Sequence, residues 1–339
     1  MLKITMFSAA DSVKGQGVGS VYTELVRLLK SRESDQIALQ INKYGRSDIS
    51  HYHTVNFPFY LSTFMPGRGR KIGFVHFLPE TLEGSLKLPK IVKAVFYRYV
   101  IAFYKRMDQL VVVNPSFIPK LEAYGISRDK ITYIPNFVSA ATFHPADEAQ
   151  KQLLRTQYHY PAKFTILGSG QVQVRKGVFD FIELAKRHPE MQFIWTGGFS
   201  FGRITDGYEE LKRVVDNPPA NLSFPGIIDR DKLVDYYNMA DLFLLPSYNE
   251  LFPMSVLEAF STHTPVLLRD LDLYHAIIKG DYAAAKDVDE MDQIILKLST
   301  DSQALMALQE KAKHAADYYS EERLAKIWLQ FYTEQARKG

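Results

Sequence analysis

The sequence predicts an α/β protein of two doubly wound domains, each a parallel sheet with crossover helices. Three observations carry this. Short apolar runs alternate with longer stretches of helical periodicity. The alternation runs to about residue 142 and restarts after residue 150. A glycine-rich turn follows the first strand of each series, where open parallel sheets hold their ligands. Length agrees, since 339 residues exceed one ordinary core.

In the first series the strand candidates are Ile4–Ser8, Lys71–Phe77, Gln109–Asn114 and Ile131–Pro135, with a helix over Ser20–Lys30. In the second they are Phe164–Gly168, Gln192–Thr196, Leu242–Leu245 and Pro265–Leu268, with helices over Val178–Arg187 and Asp231–Asn238. The pattern breaks near Ser139–Asp147, which sets the expected domains at 1–142 and 143–317. A last helix over Glu321–Arg337 carries Leu324, Ile327, Trp328 and Phe331 at helical spacing. That stripe must be buried, and residues 318–339 are expected to cross back and complete the first domain.

Composition is globular, at 46% hydrophobic and 23% charged residues. The net charge of +3 gives no general pull toward nucleic acid. The absence of cysteine excludes disulfides, thiolate metal sites and Cys nucleophiles. The N-terminus reads as a short strand and not as a signal peptide. Residues 49–67 lack charge but contain His, Asn and Pro, which argues against a membrane span.

Three motifs carry chemistry. Lys14–Ser20 holds Gly15, Gly17 and Gly19 between a strand and a helix. Its spacing is not the dinucleotide fingerprint, and a tight turn explains it as well as a phosphate cradle does. Gly168–Gly177 follows the first strand of the second series and places Arg175 and Lys176 before a helix. There a cation can meet a pyrophosphate, and the Gly-rich context at a strand end favours that over the alternative, a solvated turn. The third is the most informative. Glu250 and Glu258 bracket seven residues after a buried strand, with a helix predicted to start near Pro253 or Met254. Carboxylates suit sugar and ribose hydroxyls, and the N–H groups of Met254 and Ser255 would face an anion. Capping plus a solvated glutamate is the alternative.

From Gly84 to Met107 there are six basic residues and no acidic one: Lys87, Lys90, Lys93, Arg98, Lys105 and Arg106. Val92, Val95, Phe96, Tyr99, Val100 and Phe103 fall on one helical face, with Lys90, Lys93, Arg98 and Lys105 opposite. Such a helix can dock on anionic headgroups, or it is a core helix with a solvated basic face. Single-stranded nucleic acid also suits basic and aromatic residues, but no nucleic-acid module accompanies them.

Taken in order, these segments resemble glycosyltransferase family 4, the retaining enzymes of the GT-B fold. Glu250 and Glu258 match its glutamate pair, and Gly170 through Gly177 its phosphate loop. Val75–Pro79 is similar to its active-site histidine segment, and Ile134–Asn136 to the segment before its interdomain linker. The resemblance implies two Rossmann-like domains facing a central cleft. It implies that Glu258 binds the ribose, Glu250 contacts the transferred sugar, Lys176 holds the diphosphate and His76 meets the donor sugar near the reacting centre. Gly15, Gly17 and Gly19 would close over the phosphate or the acceptor. Gln171, Arg175, Phe252, Met254 and Ser255 would complete the donor site. Here Gln171 stands in place of the family's loop arginine, and Pro253 replaces a glycine.

Within the family, the segments 51–56, 195–203 and 268–274 resemble Gram-positive diacylglycerol glycolipid synthases. The implied donor is a UDP-hexose, glucose or galactose, and the implied acceptor a monoglucosyl-diacylglycerol. The product would be the dihexosyl lipid that anchors lipoteichoic acid, made by an enzyme attached to the inner face of the cell membrane. No metal is implied, so Asp270-Leu-Asp272 reads as a loop or helix start. A polysaccharide or teichoic acid acceptor, and a sugar-nucleotide-binding protein without turnover, are the alternatives.

Overall fold

The computed structural model describes all residues except 10–16, 33–35, 80–88, 201, 203–204, 206 and 279. The chain forms two compact units, Met1–Phe137 with Glu321–Gly339, and Val138–Ser320.

Unit 1 runs β1 (Leu2–Phe7), α1 (Gly17–Arg32), β2 (Ile37–Ile41), β3 (Ile49–Tyr52), α2 (Phe57–Ser62), β4 (Arg70–Val75), α3 (Lys90–Lys105), β5 (Gln109–Val112), α4 (Phe117–Ala123) and β6 (Ile131–Tyr133). Its sheet has the order β2-β1-β3-β4-β5-β6, parallel throughout the described residues. The last helix of the chain, α13 (Glu321–Ala336), belongs to this unit. Its stripe of Leu324, Ala325, Trp328, Phe331 and Tyr332 is buried. Each large side chain of that stripe contributes about 1.5–3 kcal/mol through burial. Ile327, counted with that stripe in the sequence, lies outside the buried set.

Unit 2 runs α5 (Glu148–Gln157), β7 (Thr165–Ser169), α6 (Val178–Arg187), β8 (Gln192–Thr196), α7 (Tyr208–Asp216), β9 (Leu222–Gly226), α8 (Arg230–Met239), β10 (Leu242–Leu245), α9 (Met254–Ser261), β11 (Val266–Arg269), α10 (Asp272–Ile277), β12 (Ala283–Ala285), α11 (Val288–Thr300) and α12 (Ser302–Tyr318). The sheet order is β12-β11-β10-β7-β8-β9. The strands β7, β8, β10 and β11 are buried along their whole length. This explains their continuous apolar runs, since helices cover both faces of a parallel sheet. α6 shows why a helix forms where it does. Val178, Phe181, Ile182 and Ala185 face the core, Asp180 sits in the first turn, and Lys186 and Arg187 close the last.

The strands β2, β3, β9 and β12 add to those read from the sequence. Among the described residues, no helix is long and apolar enough to cross a membrane.

Candidate active site

In unit 2 the strand order reverses between β7 and β10. Loops leaving these two strands diverge, and the crevice at their carboxyl ends is the ligand position of a doubly wound sheet. Both strong motifs of this half sit there. After β7 the chain makes a 3-10 turn, Val174–Lys176, and then a left-handed residue, Gly177, at φ 71°. A Cβ at Gly177 would stand 2.1 Å from the carbonyl oxygen of Pro246. Only glycine lets the two loops touch. The Tyr248 N–H then donates to the Arg175 carbonyl at 2.9 Å.

That contact places Lys176 against Glu250. Lys176 Nζ donates to Glu250 Oε1 at 2.6 Å, and both side chains are largely buried. Arg175 lies 3.8 Å from the other carboxylate oxygen and donates to the Asn249 carbonyl at 2.6 Å. Burial opposes charge on Glu250, but Lys176 and Arg175 outweigh it and hold the carboxyl below its ordinary range. Burial also pulls the Lys176 ammonium down, offset in part by Glu250. The result is a compact charged group: one carboxylate and two cations at a strand end.

Glu258 lies on α9. Its two oxygens accept from Arg230 at 2.7 Å and from the Tyr237 hydroxyl at 2.8 Å. Arg230 in turn stacks over Phe143, 4.9 Å from the ring centre. Burial and the adjacent Glu258 push the Tyr237 hydroxyl well above its usual range, so it stays a donor. Pro253 caps α9, and the first-turn N–H groups of Met254 and Ser255 have no helical carbonyl to bond.

A buried arginine braces the Glu250 loop from below. Arg269 donates to the Pro246 carbonyl at 3.1 Å and to the Lys286 carbonyl at 2.7 Å. It also pairs with Asp180 and lies under the Tyr248 ring, 4.3 Å from its centre. Tyr248 donates to the same Asp180 at 2.7 Å.

The structure therefore brings Lys176, Arg175 and Glu250 into one cluster, with Glu258, Met254 and Ser255 on the following helix. Gln171 accepts from Gln173 at 2.6 Å. Phe252, expected to bind the donor, is buried with its ring against Tyr319, 5.6 Å between centres. It packs the loop onto the end of α12. Asp270 bonds His275 at 2.6 Å, and Asp272 opens α10.

In unit 1, His76 follows β4 and is buried, as are His51 on β3 and His53 just beyond it. Register pairs His51 with Ile72, so His51, His53, Phe74 and His76 share one face at period two. α13 covers that face. Tyr332 and His51 Nδ1 are hydrogen-bonded at 2.7 Å. Phe74 stacks on His76, with ring centres 4.3 Å apart, and on His53 at 4.9 Å. Burial lowers His76 to about 3, and burial with the His76 charge lowers His51 to about 3; His53 falls well below 6.5. All three are neutral at physiological pH. His76 Nε2 has no partner among the described residues.

Gly15 and Lys87 lie outside the described residues, while Gly17 and Gly19 form the first turn of α1. On α3, Lys93 lies over the Tyr97 ring, and Arg98 and Lys105 are exposed; the backbone of Lys90 opens the helix. Arg106 corrects the expected basic face. It turns inward, donates to the Thr63 carbonyl at 3.0 Å and stacks over Phe64. The apolar face also divides: Val100 and Phe103 enter the core, and Val92 and Val95 stay exposed.

Comparison with known proteins settles the class. The family model described as "Glycosyl transferases group 1" matches residues 150–315, and the one described as "Glycosyltransferase Family 4" matches residues 16–142. The alpha-galactosylglucosyldiacylglycerol synthase of Streptococcus pneumoniae is 52% identical over 340 residues, covering 100% of this chain and 91% of its own. The chain belongs to glycosyltransferase family 4. The processive diacylglycerol alpha-glucosyltransferase of Acholeplasma laidlawii is 25% identical over 59% of either chain. Among solved structures, Anabaena HepE in complex with UDP and glucose aligns at a TM-score of 0.81 and 14% identity, covering 98% of this chain and 100% of its own. WaaG, a glycosyltransferase of lipopolysaccharide biosynthesis, aligns at 0.67 and 15% identity, covering 96% and 99%. These two likenesses establish the GT-B fold of the glycosyltransferase.

Sequence reasoning missed Arg230, Tyr237, Asp180, Tyr248 and Arg269. The i,i+7 spacing of Arg230 and Tyr237 on α8 was a signal that they share a helix face. The Arg269 brace has none, because its partners come from three separate elements.

Proposed function

We propose that this glycosyltransferase moves a hexose from a UDP-hexose to a glycosyl-diacylglycerol, with retention at the anomeric carbon. The 52% identity to a galactosylglucosyldiacylglycerol synthase across the whole chain carries this reading. The unit 2 cluster supports it chemically. In this reading Lys176 and Arg175, which meet at Glu250, take the diphosphate, the first-turn N–H groups of α9 add positive potential, and Glu258, held by Arg230, accepts hydrogen bonds from the ribose hydroxyls. Glu250 then turns from Lys176 to the hexose hydroxyls.

In the transfer, the bond from the hexose C1 to the diphosphate oxygen breaks. A bond from C1 to the acceptor oxygen forms on the same face. The acceptor proton passes to the departing phosphate oxygen. Charge grows on the diphosphate as the bond breaks, and fixed cations stabilise it without reorganising. No metal is needed for this, so a chelator leaves the rate unchanged. Neutral His76 contributes a hydrogen bond to the donor sugar. The enzyme works at the inner face of the cell membrane, held there by the Lys93, Arg98 and Lys105 face of α3.

The test is incubation of the purified chain with UDP-glucose or UDP-galactose, and with diacylglycerol, its monoglucoside or soluble oligosaccharides. A dihexosyl lipid from the monoglucoside is expected. Transfer to oligosaccharides alone, or none at all, overturns the reading.

A further inference from the structure

The α2 and α3 side of unit 1 exposes more apolar surface than a solvated face carries. Ile91 is 81%, Val95 64% and Phe57 61% exposed, and Leu61, Phe64 and Met65 are exposed beside them in sequence on α2 and the turn after it. Phe57, Ile91, Val92, Val95, Phe96 and Tyr99 line an open groove of about 510 Å³. Its floor is fixed. Tyr99 donates to the Val55 carbonyl at 2.6 Å, and its ring packs on Phe57, Tyr60 and Phe103. The Arg106 bridge to Thr63 and Phe64 ties the far end of α3 to the turn after α2. The floor of the groove is therefore fixed in advance, which lowers the ordering cost of filling it.

We propose that this groove binds one acyl chain of the diacylglycerol acceptor, which makes α2 and α3 part of the substrate site as well as of the docking surface. The inference rests on the glycolipid reading above. Three features favour a chain over a protein partner. The one polar side-chain group among the lining residues is the Tyr99 hydroxyl, and it is already bonded to Val55. A peptide laid there would bury polar groups without partners. Neither 56–67 nor 89–107 contains an acidic residue, while Lys93, Arg98 and Lys105 supply positive charge suited to anionic headgroups. Last, the groove helix is joined to the histidine loop. Tyr104 donates to the Phe77 carbonyl at 2.9 Å, one residue past His76. Tyr104 lies about 14 Å along α3 from Val95 at helical rise, a separation that a hexose and a glycerol backbone in series can cover.

The experiment uses the full chain, UDP-hexose and monoglucosyl-diacylglycerols of increasing chain length, kept monomeric and free of vesicles. In the wild type, kcat/KM rises roughly fourfold per added methylene until the groove is full. Val95→Asp, and separately Ile91→Ser with Val92→Ser, flatten that rise, with UDP affinity and circular dichroism unchanged. Because these positions are exposed, the fold tolerates them. A wild type indifferent to chain length, or variants that keep the full slope, overturns the groove while leaving the glycolipid reading intact. So does a dimer that these substitutions dissociate. Failure to glycosylate any acceptor, of any length, removes the glycolipid reading and the groove with it.

Discussion

The two units bury polar groups in opposite ways. Unit 2 pairs them: Lys176 with Glu250, Arg230 with Glu258, Arg269 with Asp180, and Arg155 with Asp241. Unit 1 leaves His51, His53 and His76 neutral within an aromatic layer of Phe74, Trp328 and Tyr332. Under the proposed function, the pairing gives a diphosphate site cations that are fixed by their carboxylates before the donor arrives. Under the same proposal, the neutral layer lets His76 hydrogen-bond a sugar without attracting the phosphate. The difference assigns separate vulnerabilities to the two halves.

The largest effect is expected at the charged cluster. Lys176→Met leaves Glu250 buried without its main partner and removes a cation from the leaving group. Hexose transfer should fall about a hundredfold to a thousandfold, and stability by about 3–5 kcal/mol. Steady-state kinetics and urea unfolding measure both. A Lys176→Met protein with near-normal transfer would dissolve the contrast.

Acid should strike the other half. As pH drops through 6.5, the unfolded chain protonates these histidines while the folded chain does not until about 3 for His51 and His76. The unfolded state thus binds more protons, so stability present above 6.5 is lost as pH falls. Each histidine contributes about 1.4 kcal/mol per pH unit. The chain contains one tryptophan per unit, Trp328 and Trp195. Fluorescence of Trp195→Phe and Trp328→Phe variants should show unit 1 unfolding at the higher pH. Simultaneous loss, or unit 2 first, contradicts this.

A subtler substitution sharpens the point. Both ring nitrogens of His53 lack partners among the described residues. His53→Phe should therefore raise thermal stability, by about 1 kcal/mol, and shift the acid midpoint downward. A large loss would mean that His53 is bonded within the fold.

The smallest effect belongs to Tyr237→Phe, which removes one of the two groups orienting Glu258. The KM for UDP-hexose should rise severalfold with kcat nearly unchanged, the signature of lost uniform binding. A fall in kcat alone would instead place Tyr237 at the reacting centre.

Much of this was legible in the sequence. The strands Gln192–Thr196 and Leu242–Leu245 and the helix Val178–Arg187 have the bounds their apolar runs imply. Three of the four missing strands failed for identifiable reasons. β3 reads Ile-Ser-His-Tyr, without an apolar run, because its inward face is a histidine layer. β9 ends in Pro-Gly, and β12 is three alanines, poor in strand propensity. For the candidate site, local spacing sufficed to single out residues on one loop or helix start, such as Lys176 and Glu250, which the fold brings into contact. It failed where a role depends on residues distant in sequence. Arg106 looked like part of a basic surface, and only the position of Thr63 and Phe64 turns it inward.

The return of α13 to unit 1 has a consequence for how the chain is made. Residues 138–320 separate the first unit's sheet from its own covering helix. At ribosomal speeds of about 5–20 residues per second, that interval lasts roughly 10–40 s. Throughout it, the face of His51, His53 and Phe74 emerges without Trp328 and Tyr332 to cover it. The nascent N-terminal half must therefore wait half-finished, a ready client for chaperones, until translation delivers its lid.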